Sequence, residues 1–132
     1  MKISLFVSYL LTVPVLAFFD LLWLGVVAKG FYQDKIGHLL GPVHWLPAVL
    51  FYFVYIAGIY YFVIIPNVGM GWQKVAIAGA LFGFFIYATY DLTNNATMRD
   101  WPPIITVVDI AWGTILSAFI ALIAAKVLSL FS

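Results

Sequence analysis

This 132-residue chain has no cysteine, two histidines, six basic residues and five acidic ones. Without cysteine there is no disulfide, thiol relay or thiolate metal site. Two histidines are too few for a multi-histidine di-iron centre. Both fall in one loop, whereas a haem held between helices needs a histidine inside a span. The net charge of +1 offers nucleic acid no basic face. Glycine-rich phosphate cradles are absent, and Ser8, Ser117 and Ser129 lie in no nucleophile elbow. Carboxylate, amide and aromatic chemistry remains, with no metal or cofactor expected. Charge itself is the largest shortage: 8% of residues carry it, where a soluble domain needs roughly a quarter.

What is present is apolar. Hydrophobic residues make up 66% of the chain and the mean hydropathy is +1.13, so most of the surface must face lipid. The expected fold is a single all-α integral membrane domain over residues 1–132. It has four transmembrane helices at about 3–27, 45–65, 74–92 and 104–126, each near the ~20 residues that cross a bilayer. Helices are required because unpaired strand backbone is costly in lipid. The apolar run after Met1-Lys2 is too long for a cleavable signal, so it reads as the first span. Pro14 falls inside that span, and Pro47 opens the second where its missing N–H is harmless. Between Gly30 and His44 the chain alternates Phe31, Tyr32, Ile36, Leu39 and Leu40 with polar residues, which predicts an interfacial half-helix.

Two stretches resemble each other. "AFFDL" at 17–21 matches "ATYDL" at 88–92, and "HWLP" before the second span matches "DWPP" before the fourth. This suggests a duplicated two-helix hairpin, related by rotation about an axis near the membrane normal and pairing Asp20 with Asp91.

Four spans place the connections after spans one and three on the same side. Asp20 then lies roughly 12 Å inside the end of its span, at about 1.5 Å per residue. Asp91 lies near the end of span three and Asp109 near the start of span four, so all three occupy one half of the bilayer. The other half is expected to hold little that is polar beyond Asn67, Gln73 and Lys74. An intramembrane acid costs about 2.5–3.5 kcal/mol on insertion, so such residues face a bundle interior or a wet cavity. No core cation is available to pair with them. Asp20, Asp91 and Asp109 are therefore the candidate catalytic residues, expected to converge. Trp23, Tyr90, Thr93, Asn94, Asn95 and Trp112 are the candidate ligand-binding residues around them. Asp20, flanked by Phe18, Phe19, Leu21 and Leu22, reads as the proton donor. Asp91, beside the polar "TNN" run and nearer water, reads as acceptor or cation anchor.

Other polar residues have simpler readings. Asp34 and Asp100 solvate loops. His38 and His44 read as surface or hydrogen-bonded residues rather than metal ligands. Trp45 and Trp101 suit the interfacial belt, and Lys29, Lys35 and Arg99 suit lipid phosphates. Thr106, Asp109, Gly113, Ser117 and Ala121 form a small, polar stripe for close helix packing, with Gly79 and Gly83 a matching face on span three.

The series "FDLLWLG", "YDLTNNATMRDWP" and "VDIAWG", in this order across the four spans, resembles a family of small bacterial inner-membrane proteins, domain of unknown function 2177. The likeness covers essentially the whole chain. It implies a multi-pass four-helix protein of the bacterial inner membrane, and brings no activity with it. From the residues, two functions remain. One is a site for a lipid or isoprenoid amphiphile, bound or modified by carboxylate proton chemistry, with membrane lipids as partners. The other is a minimal proton-coupled transporter of a lipophilic or cationic small molecule, acting as a homodimer. Whether the protein is an enzyme is left open by the residues. Lys2, Lys74 and Lys126 on one side balance Lys29, Lys35 and Arg99 on the other, so charge bias sets no orientation.

Overall fold

A computed structural model describes residues 2–132 as an all-α bundle. Among these residues, four helices are long and apolar enough to cross a membrane: Lys2–Val27, Trp45–Asn67, Trp72–Thr97 and Pro103–Leu130. Helix α1 (Lys2–Leu22) continues into one π turn at Trp23–Val27. The expected half-helix is α2, Lys29–Ile36, followed by a short 3-10 turn at Gly37–Leu39. Helix α3 (Trp45–Ile59) also passes into a π turn, Tyr60–Ile64, and ends at Ile65–Asn67. Helices α4 (Trp72–Thr97) and α5 (Pro103–Leu130) run without interruption.

Helix α4 passes the expected end near residue 92 and reaches Thr97. Thr89 and Thr97 donate their hydroxyls to the carbonyls of Phe85 and Thr93, four residues back, at 2.6 and 2.8 Å. Threonine can satisfy itself this way inside a helix, so a run that reads as loop continues helically. The connection shrinks to residues 98–102, and Pro103 starts α5 in the first turn, where proline is pre-organised.

The closest packing joins α4 to α5. A Cβ at Gly79 would stand 2.7 Å from Ala121 Cβ and 2.8 Å from the Ser117 carbonyl, and Gly83 lies against Gly113 and Ser117. Small residues here let the two backbones approach, the usual source of helix association in lipid. The first helix pair is joined by side chains instead. Tyr60 and Thr12 hydroxyls meet at 3.0 Å, and Tyr9 donates to the Phe53 carbonyl at 2.9 Å. The half of the bundle expected to be nearly free of polar groups thus holds buried Ser8 and Thr12, each bonded to its own helix backbone.

Candidate functional site

At the other end, α1, α4 and α5 bring the three acids towards one another, and α2 adds Tyr32. Asp20 is buried on α1 at 7% exposure, and its carboxylate accepts the Tyr52 hydroxyl at 3.0 Å. Asp109, half-buried near the start of α5, accepts the Tyr32 hydroxyl from α2. Asp91 has 0% exposure on α4, and both carboxyl oxygens lack a hydrogen-bond partner among the described residues. The Asp109 carboxyl lies in its immediate neighbourhood. Asp109 is also within electrostatic reach of Asp20.

Aromatic residues enclose the acids. Trp23 and Trp112 stack with centroids 4.4 Å apart and planes 7° from parallel. The Trp23 indole donates to the Tyr32 hydroxyl at 3.2 Å. Trp112 lies beside Asp20, although its indole N–H is not aligned for a hydrogen bond. Tyr87 covers Gly113 and reaches towards Asp20 and Asp109. Just inside it, Tyr55 and Ser117 share a hydrogen bond. The π turn at Trp23–Val27 is the kind of helix defect that recurs at functional sites. Its wider winding turns Trp23 inward and delivers Ala28 to start α2, with Ala28 N–H bonded to the Trp23 carbonyl at 2.7 Å.

Tyr32 comes from a connection that hydropathy reads only as amphipathic. It is 7% exposed, because Ala28, Tyr32 and Ile36 form one face of α2 and pack on Trp101 and Ile105. Burial first, and then the neighbouring Asp109 carboxylate, holds the Tyr32 phenol above its ordinary range. At neutral pH it is therefore a fixed hydrogen-bond donor to the site.

The remaining candidates are placed as follows. Asn94 is half-buried one turn beyond Asp91. Tyr90, Thr93 and Asn95 lie on the exposed side of α4, and the structure does not bring them to the acids. Asp91 is shielded at its carboxyl because α4 stays helical through the "TNN" run and turns Asp91 onto α5. Trp101 is not a belt residue either: it is buried, and its indole donates to Thr106 Oγ1 at 3.0 Å. Trp45 remains exposed, as a belt residue would. Asp34 pairs with Lys35 at 3.6 Å and Asp100 with His38 at 4.0 Å, both at the surface. Missing from the expected set were Tyr32, Tyr52, Tyr55 and Tyr87. For Tyr52, Tyr55 and Tyr87 the signal was present as tyrosines in apolar spans, where each phenol needs a partner.

Chemically, this is an acid cluster inside the helical bundle with tyrosine donors on two of its three carboxyls. It can hold and relay a proton, or receive a donor group at Asp91. No curated protein and no solved structure matches the chain. Residues 5–126 match the family of predicted membrane proteins designated DUF2177, and the chain belongs to that family.

Proposed function

We propose that the protein binds an amphiphile, a lipid or isoprenoid, by a cationic or hydrogen-bond-donating head group at the Asp91–Asp109 pair, and exchanges a proton with it. The observation that carries this reading is Asp91, wholly buried with both oxygens unpartnered. An uncompensated buried charge costs about 3–5 kcal/mol, a large share of a total stability of ~5–15 kcal/mol. A shared proton reduces that cost, and an incoming donor removes more of it. The roles of the acids then exchange relative to the reading from sequence. The Asp91–Asp109 pair holds the transferable proton, and Asp20, supplied with the Tyr52 hydroxyl, is the acceptor. The head enters beneath α2 while the tail stays in the lipid around the bundle.

Native mass spectrometry of protein extracted in mild detergent tests this. Wild type should retain an amphiphile, Asp91→Asn and Asp109→Asn should lose it, and Asp34→Asn should keep it. Equal retention in all four would remove the reading, as would an empty wild type.

One observation favours proton-coupled transport as a second reading. Hydroxyl contacts continue beyond the acids, through Tyr55–Ser117 to Thr12–Tyr60 in the other half of the bundle. Transport predicts proton uptake into proteoliposomes that stops in Asp20→Asn. A lack of uptake by wild type leaves the amphiphile reading alone.

A further inference from the structure

A groove of about 480 Å³ opens at the end of the molecule opposite the aspartates, where the end of α3, the turn before α4 and the last turns of α5 meet. We infer that it binds the head group of an anionic lipid. Three features point to that occupant. The first is charge. Lys126 lines the groove, no Asp or Glu side chain does, and Lys126 takes part in neither ion pair formed by the described residues.

The second is the polar rim. Trp72, the first residue of α4, lines the groove, and Gly71 caps that helix without a side-chain hydrogen bond. The first N–H groups of a 26-residue helix are thus left free beside Lys126. Gly71 adopts φ +94° and Gly69 φ +76°, and this left-handed turn brings the helix start over the groove. The amide of Asn67 completes the rim; one of its N–H groups bonds the Val63 carbonyl at 2.8 Å, leaving the other free.

The third is the floor. Val75, Leu122 and Leu128 lie beneath the polar rim. A free inorganic anion gains nothing from them, whereas the first methylenes of an acyl chain do. Lys126 stands on the last turns of α5, near the end of a span, so its ammonium can meet a phosphate while its stem lies on apolar surface. The groove shares no residue with the acid cluster, so it is independent of the proposed proton chemistry.

The test is thermal unfolding in neutral detergent, titrated with phosphatidylglycerol or phosphatidylcholine. Phosphatidylglycerol should raise the midpoint of wild type and phosphatidylcholine should not. Lys126→Gln should weaken the phosphatidylglycerol response about fivefold, the effect of one lysine near an anionic head group. Lys74→Gln, which removes a charge at the same end but outside the groove, should leave it unchanged. Millimolar sodium phosphate should not reproduce the shift. The inference is overturned if both lipids act equally, if the two lysine variants weaken the response alike, or if phosphate alone suffices.

Discussion

The two helix pairs bury an aspartate each, Asp20 and Asp91, in similar local sequence, and treat them differently. Between α1 and α3 the seam is built from hydroxyls and aromatic rings, and Asp20 receives the Tyr52 hydroxyl. Between α4 and α5 the seam is built from Gly79, Gly83 and Gly113 against Ser117 and Ala121. Asp91, about two turns beyond Gly83 on the same helix, finds no donor for its carboxyl among the described residues. Helix regularity follows the same division. α1 and α3 each pass into a π turn, whereas α4 and α5 run 26 and 28 residues unbroken. The rigid pair holds the strained acid; the irregular pair supplies donors and carries the connection with Tyr32. A costly group is tolerated where the frame around it cannot relax, a common arrangement at sites that act on a ligand.

The largest effect should come from the glycine seam. Gly83→Leu would drive a side chain into the Gly113 backbone and Ser117, and the α5 backbone cannot yield without separating the helices. Overpacking of this kind costs about 1–3 kcal/mol and more when backbone is hit. Loss of monodisperse folded protein in detergent is expected. A contrasting change is Gly58→Ala on α3, which faces α4: its new Cβ would stand 2.7 Å from Cζ of Phe82. That is the free end of a flexible ring, so the variant should fold and unfold near wild type. If the two variants behave alike, the contrast between a glycine held against backbone and one held against the free end of a ring is wrong.

The aspartates themselves give the next effect. Asp20→Ala and Asp91→Ala remove the same atoms from buried sites, so their cavity terms nearly cancel. Asp20→Ala also strands the Tyr52 hydroxyl, whereas Asp91→Ala leaves Asp109 its Tyr32 donor and removes a carboxyl that has no donor of its own. Asp91→Ala should therefore be the more stable of the two by about 1–3 kcal/mol. Chemical or thermal unfolding in one detergent measures the difference. A reversed order would mean that Asp91 is bonded in the folded protein and Asp20 is not.

Much of this was legible in the chain. Lengths of apolar sequence placed the four spans, the side of each connection placed the acids in one half, and small residues marked the α4–α5 seam. Rotation of each helix about its axis was not legible. In lipid the buried and outward faces are both apolar, so the amphipathic signal that orients helices in soluble proteins is faint. Thr93 and Asn95 accordingly read as site residues although they face outward, and Trp101 read as interfacial although it is buried. The Tyr32–Asp109 contact joins a connection to a span far along the chain, and no local pattern announces it.

The smallest effect concerns that contact. Tyr32→Phe keeps the ring that packs on Trp101 and Ile105, and removes only the hydroxyl between Trp23 and Asp109. A loss of about 1 kcal/mol is expected, since Asp109 and the Trp23 N–H each lose one partner while the packing stays. The pH dependence sharpens this. Burial and Asp109 hold the folded phenol above its unfolded value of about 10. A group raised on folding gives its full contribution below the unfolded value, and loses it as pH climbs from there through the folded one. The gap between wild type and Tyr32→Phe should stay constant from about pH 6 to about pH 9, then narrow above about pH 10. A gap close to zero at every pH would place the phenol in water, and α2 would then be a surface strap rather than the cover of the acid cluster.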